Sequence, residues 1–381
     1  MMKVIILLIL SLISLPIYAE DIQDSDTAAR LVQQSMTTLI QKNAIPGAAV
    51  LLYVNGKPIE QYYGHAGQKE PVFRKTIFEI GSISKVMTSI LFAQEIDWAK
   101  MSLNDPVTKY VKDLPATFNK MTLQDLATHT SGLPFNPPRN ITTQDELKQY
   151  FSKWSPRDNA YDQWRNSNVG MGLLGYALES STESDFNDLY RRHILNPLKM
   201  VNGVTVPKTL TKYYAEGYDA NDNPIPHAHL GLFPAAVGIK ASASDMQRFL
   251  SAAIGLPGTP PRVFYPMRLT QSMFVRMNDN QYQGLAWQIH SIKDVADISR
   301  LLRASDLSDS ELINVQEVYQ RPVYSGSVLV DKTGATNGFR AYIAVIPNKK
   351  SGIVILVNKN VPASAIVKTA REILFKVTNL T

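Results

Sequence analysis

Apolar positions recur along this chain in two periods, one near 3.6 residues and one of two. Over Thr27 to Asn43, Leu31, Val32, Met36, Leu39 and Ile40 fall on one face of a helix. Two apolar runs follow, Ala48 to Val54 and Pro58 to Tyr63, on either side of Asn55-Gly56. That dipeptide accepts positive φ, so it suits a tight hairpin turn. The chain therefore opens helix, strand, strand. A second helical pattern starts at Ser82 and continues through Val86, Met87, Ile90, Leu91 and Ile96. From about Leu103 to Met267, short helical segments alternate with Pro- and Gly-rich loops such as "SGLPFNPPRN". Strand patterns return at Ser327–Asp331, Ala341–Ile346 and Ile353–Asn358, and "PNKKSG" turns the last two into a hairpin. Ser364 to Val377 closes as an amphipathic helix, with Ile366, Ala370, Ile373 and Leu374 on one face.

Strands at both ends with helices between predict an α/β (α+β) architecture. One antiparallel sheet, built from both termini, is flanked by helices and carries an inserted, mostly helical region. The α/β part is expected over about 20–80 and 268–381 and the helical part over about 81–267, with the site where they meet.

The first residues change the picture of where the chain works. Lys3 is a short positive segment, Val4–Leu15 an apolar run too short to span a bilayer comfortably, and Ala19 a small residue suited to cleavage. Residues 1–19 are expected to be a signal peptide, an uncleaved anchor being the alternative. The mature chain is then periplasmic or secreted. No second apolar run predicts membrane insertion, and no internal repeat appears. With no cysteine, disulfides, thiolate metal sites and a lipoprotein anchor are excluded. The net charge of +6 is dispersed and forms no basic stripe, which argues against nucleic acid as a partner.

Candidate chemistry begins at "FEIGSISKVMTSI". Ser82-Ile83-Ser84-Lys85 is the only S-x-x-K in the chain. Positions i and i+3 of a helix share a face, so Lys85 falls beside the Ser82 hydroxyl, and a lysine can activate a serine nucleophile. Taken alone, the pattern equally describes a capping serine and a surface lysine. "VLVDKTGATNGF" changes the balance. Lys332-Thr333-Gly334 ends a predicted strand, offering a charge, a hydroxyl and a close backbone approach. Asn166, in "QWRNSNVG", supplies a carboxamide that can both donate and accept.

This order, S-x-x-K, then x-x-N-S-x-x-G, then K-T-G, resembles the serine β-lactamases and penicillin-recognising enzymes. "LNDPV", "LQDLATHTSGLP", "YQGLAWQ" and "DKTGATNGFRAYIAVIPNKKSGIVILVNKNVP" look like the class C branch, over about Thr27 to Val377. The resemblance implies one β-lactamase-like catalytic domain over 20–381 and a serine hydrolase working through an acyl-serine. Its substrate would be a small β-lactam or another acyl or peptide compound. No motif in the sequence calls for a cofactor or a metal, and a monomer is expected. The resemblance implies Ser82 as nucleophile, Lys85 as base or proton shuttle, and Asn166 as a contact for Lys85 and the substrate amide. Lys332 would attract a substrate carboxylate, helped by Thr333, beside Gly334. The backbone N–H groups of Ser82 and Ala335 would form the oxyanion hole. An esterase or D-amino-acid peptidase, and a penicillin-binding or cell-wall-ligand module with little turnover, are the alternatives.

The chain departs from that pattern in several places. The family keeps Tyr-x-Asn where this chain reads Trp164-Arg165-Asn166. A phenol exchanges protons, whereas an indole N–H only donates a hydrogen bond, so Trp164 is expected to line the substrate site without a proton route. Tyr161 is a possible replacement phenol. Val237 stands where the branch has a pocket-lining aromatic, and Ala363 and Ile366 where it has an asparagine and an arginine near the carboxylate. Arg340 is a nearby charge able to replace them. His227 and His229 could pair on a metal but lack a third ligand at a sensible spacing. His129 reads as a structural histidine.

Overall fold

The computed structural model describes residues 17–67, 69–157, 160–203, 213–227, 231–303 and 311–380, with side chains from Ser25 onward. Residues 1–16 of the expected signal peptide, and His229, lie outside the described residues. Helix α1 (Ile17–Asn43) starts earlier than the apolar pattern predicts. It leads to β1 (Gly47–Val54), β2 (Lys57–Gly64), β3 (Ile77–Glu79) and α2 (Ile83–Asp97). The middle of the chain holds α3 (Leu123–Ala127), α4 (Gln144–Lys153), β4 (Gln163–Trp164), α5 (Asn168–Thr182), α6 (Phe186–Tyr190) and α7 (Asn196–Leu198). The small strands β5 (Gly217–Tyr218) and β6 (Pro224–Ile225) follow, then α8 (Pro234–Val237), β7 (Lys240–Ser242), α9 (Ala243–Ala253) and α10 (Pro261–Thr270). The last part runs β8 (Met273–Asn278), β9 (Gln281–Gln283), β10 (Gln288–Ser291), α11 (Val295–Arg303), β11 (Ile313–Asn314) and β12 (Glu317–Val323). It finishes with β13 (Val328–Ala335), β14 (Arg340–Ile346), β15 (Ser351–Val357) and α12 (Ala363–Val377).

One sheet organises these elements, in the order β12-β8-β9-β10-β13-β14-β15-β1-β2. The N-terminal hairpin β1–β2 is thus stitched to the C-terminal strand β15, pairing Ala48 with Val357 and Leu52 with Ile353. Its turn has Asn55 at φ 48° and Gly56 at φ 81°, as an Asn-Gly hairpin requires. The sequence pattern finds β1, β2, β13, β14 and β15 but misses β8, β9, β10 and β12. Of these, β9 (QYQ) and β10 (QIHS) are only three and four residues long and largely polar, β8 has Arg276 among its apolar residues, and β12 is a largely exposed edge strand that tolerates Pro322.

Strand alternation sorts side chains between two cores. Ala49, Leu51, Val330, Ile343 and Leu356 face a large core shared with α2, α5 and α9. Val50, Leu329, Ala344 and Ile355 face a smaller one, closed by α1, α11 and α12. Residues 331 and 332 obey the same rule. Lys332 lies opposite Ile343 and faces the large core, whereas Asp331 lies opposite Ala344 and faces the terminal helices.

Asp331 is therefore a buried carboxylate behind the site, and it is fully partnered. Arg371 of α12 meets it at 2.7 Å, Tyr342 donates to it at 2.5 Å, and His290 lies 3.3 Å away. Arg371 also donates to Tyr342 Oη at 3.0 Å and to Leu301 O at 2.9 Å. Burial alone would raise the Asp331 pKa, but Arg371, then His290 and Tyr342, hold it well below the usual carboxylate range. A carboxyl depressed in this way stabilises the fold above its unfolded value, about 3.9, and loses that contribution as pH falls below it. Removing one partner of a buried pair typically costs about 3–5 kcal/mol. Arg371→Met is accordingly expected to lower urea stability by that order at pH 7. The deficit should narrow as pH falls toward 4, because a lone buried carboxyl takes up a proton. Urea denaturation of both chains across that pH range checks both statements.

Candidate active site

Strand β3 aims the chain at α2 through the turn Ile80-Gly81-Ser82. Its Glu79 pairs across to Lys240 in β7 and accepts from Tyr214 Oη at 2.8 Å. Burial lowers the Lys240 pKa while the Glu79 charge opposes the shift. The Ile239 N–H donates to Ser84 Oγ at 3.1 Å, tying the first turn of α2 to the segment after α8.

Ser82 occupies the N-cap position of α2, yet its hydroxyl makes no cap. It lies instead 2.6 Å from Lys85 Nζ, which donates to it. Lys85 is 0 % exposed, while Ser82 is partly open to solvent. The capping-serine, surface-lysine reading of S-x-x-K therefore does not describe this pair.

Two glycines bring the second motif to the first. A Cβ on Gly334 would lie 2.1 Å from Ile80 O. One on Gly81, which sits at φ +51°, would lie 2.4 Å from Ala335 N. Only two residues without side chains permit this contact between the turn and β13. The Thr336 N–H donates to Phe339 O at 3.1 Å, so ladder alternation turns the Ala335 N–H away from β14. Strand β10 covers β13 only from Val328 to Asp331. From Lys332 to Ala335 that edge is therefore not covered by β10, and there Ala335 is exposed, Thr333 half-buried and Lys332 buried.

Asn166 lies in the loop between β4 and α5, half-buried. That loop is fastened to residues 129–135. The Arg165 N–H donates to His129 O at 2.8 Å, Ser167 Oγ to Pro134 O at 2.7 Å, and the Asn168 N–H to Phe135 O at 2.8 Å. The Ser167 N–H reaches His129 Nδ1 at 3.4 Å, which leaves the ring proton on Nε2. Burial, then the charges of Lys332 and Lys85, hold the His129 pKa well below the usual imidazole range. His129 is thus a buried neutral ring near both lysines.

Trp164 differs from expectation. It is 1 % exposed, and its indole N–H donates to Gln283 Oε1 at 2.9 Å. It offers no surface to a ligand and belongs to the wall behind the site. Tyr161 is no replacement phenol: its hydroxyl is buried, and burial and then the Asp125 charge raise its pKa. Ile366 is 1 % exposed within the small core. Arg340 donates to Thr336 O, Phe339 O and Val361 O, so its guanidinium serves backbone carbonyls rather than an open anion site. Val237 lines a cavity of about 350 Å³ together with Asn136, Ile141, Asn168, Leu232 and Phe233. His227 stacks on Tyr214 at 3.6 Å, and no metal-holding group of three or more acidic, His or Cys residues occurs among the described residues.

Sequence reasoning missed Gly81 and Gln283. The glycine is visible in "EIGSIS", but its need for close approach shows only when residue 335 is opposite.

Chemically, the arrangement is a serine hydroxyl bonded to a buried lysine, next to a strand end whose Ala335 N–H is turned away from β14. It suits attack on an acyl carbon with the developing oxyanion held by backbone donors. Comparison with known proteins agrees. A family model described as Beta-lactamase matches residues 28–377. A "Beta-lactamase" of Yersinia enterocolitica is 33 % identical over 360 residues, covering 91 % of this chain and 90 % of that protein. A class C β-lactamase solved in complex with cefoxitin superposes with a TM-score of 0.85 at 31 % identity, covering 93 % of this chain and 99 % of that one. A β-lactamase/D-alanine carboxypeptidase from Pseudomonas syringae superposes with a TM-score of 0.83 at 29 % identity, covering 91 % and 98 %.

The glycine contact is directly testable. Gly334→Ala pushes a methyl against Ile80 O and separates the Ala335 donor from Ser82. Acylation of Ser82 by an activated ester, followed by intact mass, is expected to slow about 10²-fold, the cost of losing one oxyanion donor. Overpacking should also lower stability by about 1–3 kcal/mol.

Proposed function

The chain belongs to the β-lactamase family, in its class C branch of serine hydrolases, and from that premise we propose how its own residues run the reaction. Lys85, in its neutral form, takes the Ser82 proton across the 2.6 Å contact as Ser82 Oγ attacks the lactam carbonyl carbon. The oxyanion sits between the N–H groups of Ser82 and Ala335. The lactam C–N bond breaks, the ring nitrogen receives the proton from Lys85, and an acyl-serine remains. Water then cleaves that ester and frees Ser82. Asn166 holds the substrate amide, and Lys332 with Thr333 attracts its carboxylate. The observation that carries this reading is the buried Lys85 bonded to a Ser82 hydroxyl that makes no cap.

The same site favours slow turnover on lactams. Residue 164 holds an indole engaged with Gln283, so no phenol helps protonate the leaving amine or activate the deacylating water. An ester leaving group needs less protonation than an amine. A second reading, an esterase or D-amino-acid peptidase of the same fold, draws support from that difference. A third, a penicillin- or wall-ligand-binding module, follows if the acyl-serine never clears. We also propose that the chain acts outside the cytoplasm, in the periplasm or secreted, on the strength of Lys3, the apolar run Val4–Leu15 and Ala19. There, lactam hydrolysis would protect a cell from such antibiotics. A monomer suffices for the chemistry, since every residue invoked comes from one chain.

Mature protein incubated with a chromogenic cephalosporin or an activated ester, with intact mass followed in time, separates the readings. Multiple turnovers of the cephalosporin are expected, with a transient adduct that Ser82→Ala abolishes. Lactam turnover that survives Ser82→Ala would overturn the mechanism. Ester cleavage alone would favour the second reading, and a lasting adduct the third.

Trp164→Tyr restores a phenol beside His129. General acid–base groups typically contribute about 10²–10⁴-fold, so at least a tenfold rise in lactam kcat is expected, with little change on the ester. An unchanged kcat would mean that the pocket, and not the proton route, has changed.

A further inference from the structure

Arg340 stands first among the residues the chemistry leaves unused. Its position just beyond the K-T-G strand suggests a partner for a substrate carboxylate, but its bonds point elsewhere. Nη1 donates to Thr336 O at 2.9 Å and to Phe339 O at 3.1 Å, the two ends of the turn that joins β13 to β14. Nε donates to Val361 O at 3.1 Å, and Nη2 donates to Asn360 Oδ1. One guanidinium thus ties both ends of the turn to the segment that leads into α12. A planar fork can hold four acceptors in fixed directions, which an ammonium cannot.

The turn is also held from its other side. A Cβ on Gly338 would lie 2.9 Å from Gly217 Cα, so β5 and the turn meet backbone to backbone. The Tyr218 N–H donates to Gly338 O at 3.2 Å and to Asn358 O at 3.0 Å, and the Asn360 N–H to Tyr218 O at 2.8 Å. Turn, β5 and residues 358–361 therefore form one knot beside Ala335. Without it, Thr336-Asn337-Gly338-Phe339 would be an exposed hairpin end next to the N–H on which the oxyanion depends. Donors of this kind work by being fixed before the charge develops, and small displacements are costly.

We propose that Arg340 is a positioning residue, which holds the Ala335 N–H in register with the Ser82 N–H by clamping the turn 336–339 to residues 360–361. The proposal rests on the acyl-serine reading above. It makes Arg340 a determinant of transition-state charge stabilisation rather than of carboxylate binding.

The test compares single-turnover acylation by an activated ester with that by the matching thionoester. An oxyanion hole built for oxygen favours the carbonyl compound over its sulfur analogue. In Arg340→Ala, acylation by the ester should slow about 10- to 100-fold, within the range for a lost oxyanion donor. The oxo-to-thiono rate ratio should fall about tenfold, because the thiono reaction gains less from the hole. Arg340→Lys and Asn360→Ala each keep part of the clamp and should fall between, and they carry the test if the Ala variant does not fold. Ile366→Ala, which loosens the small core away from the turn, should keep the wild-type ratio. An unchanged ratio in Arg340→Ala overturns the proposal, as does a defect seen only with substrates that bear a carboxylate. Failure of the wild-type chain to acylate at all overturns the acyl-serine reading, and this proposal with it.

Discussion

Everything at the site depends on one backbone contact, between the turn Ile80-Gly81-Ser82 and the strand end Gly334-Ala335. Any side chain at position 334 or 81 would overlap a carbonyl or amide of the other segment, at 2.1 and 2.4 Å. Because both positions are glycine, the start of α2 can touch the open edge of β13. Ser82, from the N-terminal part of the chain, and Ala335, from the C-terminal part, are thereby brought side by side. The sheet exists to make that meeting stable: β1 is paired with β15, so the two ends of the chain are already zipped together.

Strand alternation divides the work at Asp331 and Lys332. One residue sends its charge forward to the cleft, and the next sends its charge back into the terminal-helix layer. There Arg371, Tyr342 and His290 absorb the carboxylate completely. Buried pairs of this kind add little net stability, but they penalise any register in which a partner is lost. A one-residue slip of β13 would put Asp331 in the cleft and Lys332 against α12. The buried network thus fixes the register that delivers Lys332 and Ala335 to Ser82.

The departures from the class C pattern separate by physics. Ser82, Lys85 and the glycine contact are intact, and in the proposed mechanism these govern formation of the acyl-serine. Val237 lines the cavity beside α5 and α8, whereas Trp164 and Ile366 are buried side chains that face no ligand. The indole bonded to Gln283 and the isoleucine turned into the small core are well-packed solutions, not damage. The chain has kept the serine–lysine pair and the glycine contact on which the proposed acylation rests, and has changed the packing around them.

The sequence by itself determined the local chemistry. The i, i+3 spacing of Ser82 and Lys85, the Asn55-Gly56 hairpin, the alternation in β13 to β15 and the amphipathic α12 all follow from short-range geometry. The family resemblance added the pairing of S-x-x-K with K-T-G. Four strands of the sheet were not legible: "QYQ" and "QIHS" are too short and polar to carry a hydrophobic period, and β8 and β12 show no clean alternation, so all four depend on their neighbours for strand form. Only the tertiary structure decided where Trp164, Arg340 and Ile366 point. Each is settled by a residue far away in the chain: Gln283 for the indole, residues 360–361 for the guanidinium, and the packed face of the sheet for the isoleucine. A side chain's reach is local, but its partner is chosen by the fold, and that choice turned a suspected substrate contact into a wall and a suspected anion site into a clamp.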